Sequence, residues 1–256
     1  MRRIYILFGL LFFISCKKEN DDEIAYKKFN TIQYACGSLT VFKANYDGDK
    51  LISLIGQGGT LRNYYFIYNS QGQLTQRDIE TSTGRQKLTE YTYNGVGQLI
   101  EKKDLLPVCP SGTEYYKYIF TYDKGKLVES TGYLKNNTLA DYIFSARRVY
   151  AWTGENITSV QTYDINNVPY PEPLNFTYDL TQPNPLSVFK DFWLQDLYDS
   201  PGTVFFFHSK NLLTKLVWPT FDCPVNYDFY NSYNPRLPDF IRPTCLGTLW
   251  VFTYGP

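Results

Sequence analysis

The sequence predicts an all-β protein: an antiparallel meander of repeated β-hairpins, curled or partly closed like a barrel. Three observations predict it. The chain has 24 Tyr, 18 Phe and 4 Trp in 256 residues, against one Met, and aromatic residues favour strands. These rings recur at every second position, the period of a strand with one buried face. Asp/Asn-and-Gly bends interrupt the alternation at intervals that fit hairpin tips. Lys+Arg and Asp+Glu are both 25, so the formal charge is zero, and the basic excess of a nucleic-acid binder is missing.

The first element is a leader. Met1-Arg2-Arg3 is a positive start, and residues 4–14 form an apolar run. That run is too short for a bilayer span and fits the core of a signal peptide. Ser15 then precedes Cys16. A small residue followed by Cys, straight after such a run, resembles the lipobox of bacterial lipoproteins, although Phe13 stands where Leu is usual. The resemblance implies cleavage after residue 15 and acylation of Cys16, which would anchor the chain to a membrane. An ordinary secretory signal with a chance cysteine is the alternative. Cleavage would remove two Arg and no acid, leaving a net charge of about −2.

Residues 17–23, Lys-Lys-Glu-Asn-Asp-Asp-Glu, contain no apolar side chain. Residues 16–28 therefore read as the acylated Cys and a polar tether. The acidic run resembles the export signal behind the acylated Cys in surface lipoproteins of the Bacteroidota; a plain spacer is the alternative. The resemblance implies an outer-membrane protein that faces outward. Residues 29–256 read as one domain.

That domain opens on a repeat. Its copies are Tyr46-Asp47-Gly48-Asp49-Lys50-Leu51, Tyr68-Asn69 through Leu74, Tyr93-Asn94 through Leu99, Tyr122-Asp123-Lys124-Gly125-Lys126-Leu127, and Trp152-Thr153-Gly154-Glu155-Asn156-Ile157 with its leading Tyr replaced. Tyr178-Asp179 and Tyr233 through Leu237 read as degenerate copies, and His208 through Leu212 as one more. The aromatic ends a strand, Asp or Asn hydrogen-bonds the turn, Gly supplies positive φ, and Leu or Ile starts the return strand. Before the tips, Tyr64/Phe66/Tyr68, Thr89/Tyr91/Tyr93, Tyr116/Tyr118/Phe120/Tyr122 and Leu174/Phe176/Tyr178 each share a face. These sets predict aromatic columns across the sheet. The return strands look more polar, as in Leu99 through Asp104.

The pattern Tyr91-Thr92-Tyr93-Asn94-Gly95-Val96-Gly97-Gln98-Leu99 resembles the RHS/YD repeat. Together with the leader, it resembles small Bacteroidota lipoproteins of uncharacterised function, a porin-like antiparallel sheet type. The resemblance covers residues 40 to 180 well and 200 to 256 poorly. It implies a packing pattern, not a reaction. The chain has no room for the cargo that long RHS arrays enclose.

From Pro169 onward prolines multiply, which predicts shorter strands and longer loops, with a last strand at 248–254. Val188 to Leu197 is the one candidate helix.

Chemistry is sparse. The cysteines Cys36, Cys109, Cys223 and Cys245 suggest two disulfides beyond the inner membrane. Cys223–Cys245 closes the shortest loop, with Cys36–Cys109 as its complement; four buried thiols are the alternative. Their spacing and a single His, His208, argue against a metal site. His208 reads as a turn residue rather than a base. No nucleophile-elbow, phosphate-loop or zincin motif occurs. Gly56-Gln57-Gly58-Gly59 reads as a loop. Asp191 with Asp196, or Asp222 with Asp228, could serve a glycosidase. Trp193, Trp218 and Trp250 are candidate binding aromatics for a glycan, or else simply pack the sheet. The expectation is a non-catalytic binding module, without cofactor and without nucleic acid, for a glycan or an envelope protein. A structural scaffold is the second reading and a glycosidase the third.

Overall fold

The computed structural model describes residues 29–35, 39–58, 62–106, 113–184, 209–218, 221–228, 240–243 and 250–254. Sixteen strands follow one another: β1 (Phe29–Ala35), β2 (Leu39–Asp47), β3 (Lys50–Gly56), β4 (Asn63–Tyr68), β5 (Leu74–Thr81), β6 (Gly84–Tyr93), β7 (Leu99–Asp104) and β8 (Glu114–Asp123). Then come β9 (Lys126–Asn136), β10 (Ile143–Thr153), β11 (Asn156–Tyr163), β12 (Leu174–Pro183), β13 (Asn211–Trp218), β14 (Phe221–Asp228), β15 (Phe240–Pro243) and β16 (Trp250–Tyr254). The first twelve run as one antiparallel meander. Four more continue it, and β16 pairs with β1, so the strand order returns on itself as a closed barrel. The expected all-β meander is present, and the sheet closes where the sequence left that open. Of the last expected strand, Trp250–Tyr254 is described and is a strand; residues 248 and 249 lie outside the described residues.

The tips form as the repeat predicts, with glycine in the left-handed region where the bend needs it. Lys124 and Gly125, with φ of 47° and 84°, make a two-residue turn between the paired Asp123 and Lys126. Asn69 and Asn94 build longer turns of one design. The side-chain oxygen of Asn69 accepts from the Gln71 and Gln73 amides, and that of Asn94 from the Val96 and Gln98 amides. Asp164 repeats the design at the opposite end of the sheet, accepting from the Asn166 and Val168 amides. The residue at φ > 0 is Gly72 and Gly97 in the first two and Asn167 in the third.

A bulge sits beside each of the six aromatic tips. The pairing shifts between Asn45 and Tyr46, Ile67 and Tyr68, Thr92 and Tyr93, Thr121 and Tyr122, Ala151 and Trp152, and Thr177 and Tyr178. The extra residue on the return strand is Ile52, Thr75, Ile100, Val128, Thr158 and Thr214, β-branched in all six. Where it is Thr, its hydroxyl donates to the carbonyl just before the tip aromatic: Thr75 to Ile67, Thr158 to Ala151 and Thr214 to Thr177.

The sixth copy corrects the sequence reading. Tyr178 pairs with Leu213, so Tyr178-Asp179 and the stretch ending at Leu212 are not two degenerate copies. They belong to one copy whose aromatic half and leucine half are separated by residues 179–212. Asn184 and Ser209 hold the two sides of that insertion together, since the Asn184 side-chain amide donates to the Ser209 carbonyl at 2.7 Å.

The inner face is apolar and aromatic. Phe42, Leu54, Leu74, Leu88, Leu127 and Ile157 are its most deeply buried large side chains. Tyr116, Tyr118 and Phe120 stack along β8 at centroid spacings of 6.2 and 6.5 Å, the column the alternation predicts. Gly132 makes room for one of these rings, because a Cβ there would lie 3.2 Å from Tyr118. The outer face is polar at mid-strand: Glu90 on β6, Glu101 and Lys103 on β7, Lys117 on β8, Glu129 on β9 and Arg147 on β10. A barrel wall that contacts lipid turns an apolar band outward, so the wall from β6 to β10 has the reverse polarity.

Candidate functional site

The tip aromatics act as clasps between successive copies. Tyr68 donates its hydroxyl to the Leu51 carbonyl at 2.9 Å, Trp152 its indole N–H to the Leu127 carbonyl at 2.8 Å, and Tyr178 its hydroxyl to the Ile157 carbonyl at 2.5 Å. Each therefore binds the buried Leu or Ile that follows the tip of a preceding copy. This explains how Trp152 can stand in for Tyr: both rings fill the same face and both carry a donor. Burial pushes the Tyr122 phenol up to about 12, with the neighbouring Tyr150 adding to it. Burial also pushes Tyr178 and Tyr150 upward.

Inside the barrel, β5 to β7 carry a buried charged network. The Thr89 hydroxyl donates to Asp104 Oδ1 at 2.9 Å and accepts from Arg77 Nη2 at 3.2 Å. Lys102 Nζ lies 3.7 Å from Asp104 Oδ2 and 5.2 Å from the centre of the Tyr118 ring. All four residues are at most 3% exposed. Such charges persist in a core only when paired and hydrogen-bonded. No local sequence pattern points to them. Simple alternation from Leu99 puts Lys102 and Asp104 outside, and the bulge at Ile100 turns them in.

Outside, the β9–β10 connection folds back across β8. Tyr142 reaches the end of β7, where its hydroxyl donates to the Asp104 carbonyl at 2.8 Å. The overhang leaves an open cleft of about 670 Å³, walled by Glu101, Lys103, Lys117, Lys135, Asp141 and Tyr142 among others. Lys117 Nζ lies 5.3 Å from the centre of the Tyr142 ring and 4.8 Å from that of Tyr133; Lys103 Nζ lies 5.9 Å from that of Tyr142. Among the described residues, none of Lys103, Lys117 and Lys135 forms an ion pair, although Glu101 and Asp141 share the cleft. Asp141 Oδ1 accepts from the Tyr142 amide at 2.7 Å, and the Tyr142 phenol is pushed up to about 12, first by burial and then by Asp104. No sequence motif marked this place, because its residues come from three strands and the connections that follow β7 and β9.

A second outer cluster is smaller. Tyr65 donates to Glu80 at 2.6 Å, Asn63 does so at 2.9 Å, and the Arg85 guanidinium covers the Tyr65 ring at 3.9 Å. The hydrogen bond from Asn63, then that from Tyr65, holds the Glu80 carboxyl below its ordinary range.

Cys16, Cys36, Cys109, Cys245, Trp193, His208, Asp191 and Asp196, together with the candidate helix Val188 to Leu197, fall outside the described residues. Trp218 ends β13, Cys223, Asp222 and Asp228 lie on β14, and Trp250 starts β16. The backbone places these five apart from the cleft strands β7 to β9. Among the described residues no cluster of His, Cys, Asp and Glu could hold a metal ion.

No family model and no curated protein matches the chain. Solved structures do. A porin-like protein from Bacteroides vulgatus is 14% identical, with 90% of this chain and 99% of that one aligned at a TM-score of 0.55. A porin-like protein from Bacteroides uniformis is also 14% identical, with 90% and 98% aligned at 0.51. At these identities the likeness shows a shared fold.

Proposed function

We propose that the chain is a lipid-anchored outer-membrane protein that binds a glycan or an envelope protein without turning it over. The cleft under the β9–β10 overhang carries the reading: polar and ring-walled, it opens on the outer face of the barrel. An outward-opening cleft on a wall that is polar from β6 to β10 suits a binding module better than a channel through lipid. The chain direction supports the placement. β1 runs from the tip end to the opposite end, since Thr31 pairs with Lys43 and Ala35 with Leu39. An anchor at Cys16 therefore joins the barrel at its tips, while the cleft lies toward the other end, away from the bilayer.

Two measurements test the reading. Cells fed an alkynyl fatty acid should label the wild-type chain and not Cys16→Ala, and only the wild type should sediment with membranes. An unlabelled wild type overturns the anchor. The purified chain lacking residues 1–16 should retain a ligand on glycan arrays or in pull-downs from envelope extracts. Retention of nothing, with envelope defects on deletion, would turn the assignment to a structural scaffold. Polysaccharide turnover abolished by one Asp→Asn change would turn it to a glycosidase.

A further inference from the structure

We infer that the cleft between β7, β8, β9 and the β9–β10 overhang is a site for an acidic saccharide. This rests on the binding-module reading and names its ligand class. Three ammonium groups, on Lys103, Lys117 and Lys135, line one cleft without an ion pair among the described residues. The residues between β7 and β8 that fall outside the description, 107–112, contain no Asp or Glu. Two of the ammonium groups lie instead beside the Tyr142 ring, 5.3 and 5.9 Å from its centre. A cation on an aromatic face keeps its hydrogen-bonding protons available, and Lys offers these to carboxylate, sulfate or phosphate as a point charge.

The rest of the cleft argues for a sugar carrying that anion rather than a bare polyanion. Glu101 and Asp141 would repel a ligand that was charged throughout, but both can accept hydrogen bonds from hydroxyl groups. Asn137 adds an amide that makes no hydrogen bond among the described residues. Tyr142 offers apolar ring surface, and its hydroxyl is spent on Asp104, which fixes the overhang in place. Hydroxyl acceptors, a ring and adjacent cations together match a saccharide with one acidic group per few hydroxyls. Tyr142 is here a positioning residue for the overhang as well as a wall.

The test uses the full lipidated protein in detergent, titrated with polygalacturonate, chondroitin sulfate and neutral dextran. Both acidic polymers should bind, affinity should fall as salt rises, and dextran should not compete. The double variant Lys103→Gln/Lys117→Gln should weaken binding at least tenfold. Both side chains point outward, so its circular dichroism and melting should match wild type, and Lys43→Gln, on an exposed position of β2 away from the cleft, should bind normally. A response to polygalacturonate alone would assign a carboxylate sugar, and to chondroitin sulfate alone a sulfated one. Equal binding of dextran, or a double variant that binds like wild type, overturns the inference and leaves the binding module standing. Retention of no glycan and no envelope protein by the wild type overturns both.

Discussion

Five copies of the hairpin unit are continuous in the chain, whereas the sixth is cut in two by residues 179–212, yet all six build the same junction. In the continuous fourth copy, Tyr122 pairs with Leu127 across a two-residue turn. In the sixth, Tyr178 pairs with Leu213, the bulge falls on Thr214, and the Tyr178 hydroxyl still reaches the carbonyl of the preceding copy. The turn is therefore not what defines the unit. A ring before the bulge, a buried Leu or Ile after the tip, and a β-branched residue on the bulge define it. What a short turn supplies to the other copies, Ser209 supplies to the sixth. Its hydroxyl oxygen accepts from the Ile157 amide at 3.1 Å and shares a 2.8 Å hydrogen bond with Tyr178.

The sharpest way to break the comparison is to empty the same position in both kinds of copy. Leu127 and Leu213 are 1% and 2% exposed. Leu127→Ala and Leu213→Ala should each cost about 2–5 kcal/mol in urea unfolding, the range for a buried Leu reduced to Ala. A loss at Leu213 far below that at Leu127 would show that the interrupted copy is only a topological likeness. Ser209→Ala comes next. It leaves the Ile157 amide without its acceptor in a buried place, at about 1–3 kcal/mol. The same change at exposed Ser70, on a continuous tip, should be nearly silent.

Alkaline titration sets both kinds of copy against the same stress. The Tyr122 phenol is pushed to about 12 and that of Tyr178 also upward, both by burial. The unfolded chain ionises near 10, so the unfolded state loses protons first as pH rises. The stability tied to these phenols is complete below pH 10 and is lost progressively between about 10 and 12. Unfolding midpoints measured from pH 8 to 12 should be flat and then fall. A flat profile to pH 12 would mean the rings are not held neutral by the core. Tyr122→Phe and Tyr178→Phe should each shallow the fall.

The tips and the aromatic columns were legible because each has a local cause: αL glycine, Asx side-chain bonding and period-two burial. What was illegible had non-local causes. The bulge residue reads as an ordinary strand residue, yet it reverses which face every later residue occupies. That is why Lys102 and Asp104 lie inside while Glu101 and Lys103 line the outer cleft. The split copy was hidden because Tyr178 and Leu213 are joined only by register. The Asp164 turn has Asn167 where the eye seeks Gly. The overhang that makes the cleft depends on one hydrogen bond from Tyr142 to a strand three places away in the sheet.

The smallest effect tests the clasp itself. Tyr68→Phe removes only the hydroxyl that donates to Leu51, leaving ring packing intact, so it should cost about 1 kcal/mol. Tyr178→Phe removes a hydroxyl that meets both Ile157 and Ser209 and should cost somewhat more. The discriminating quantity is the coupling between Tyr178→Phe and Ser209→Ala in a double-mutant cycle. If Ser209 stands in for the missing turn through Tyr178, the two losses overlap and their sum exceeds that of the double variant by about 0.5 kcal/mol or more. Strict additivity would mean that Ser209 pins the insertion on its own and that the clasp of the sixth copy closes without it. The corresponding cycle between Tyr68→Phe and Ser70→Ala has no shared hydrogen bond and should be additive.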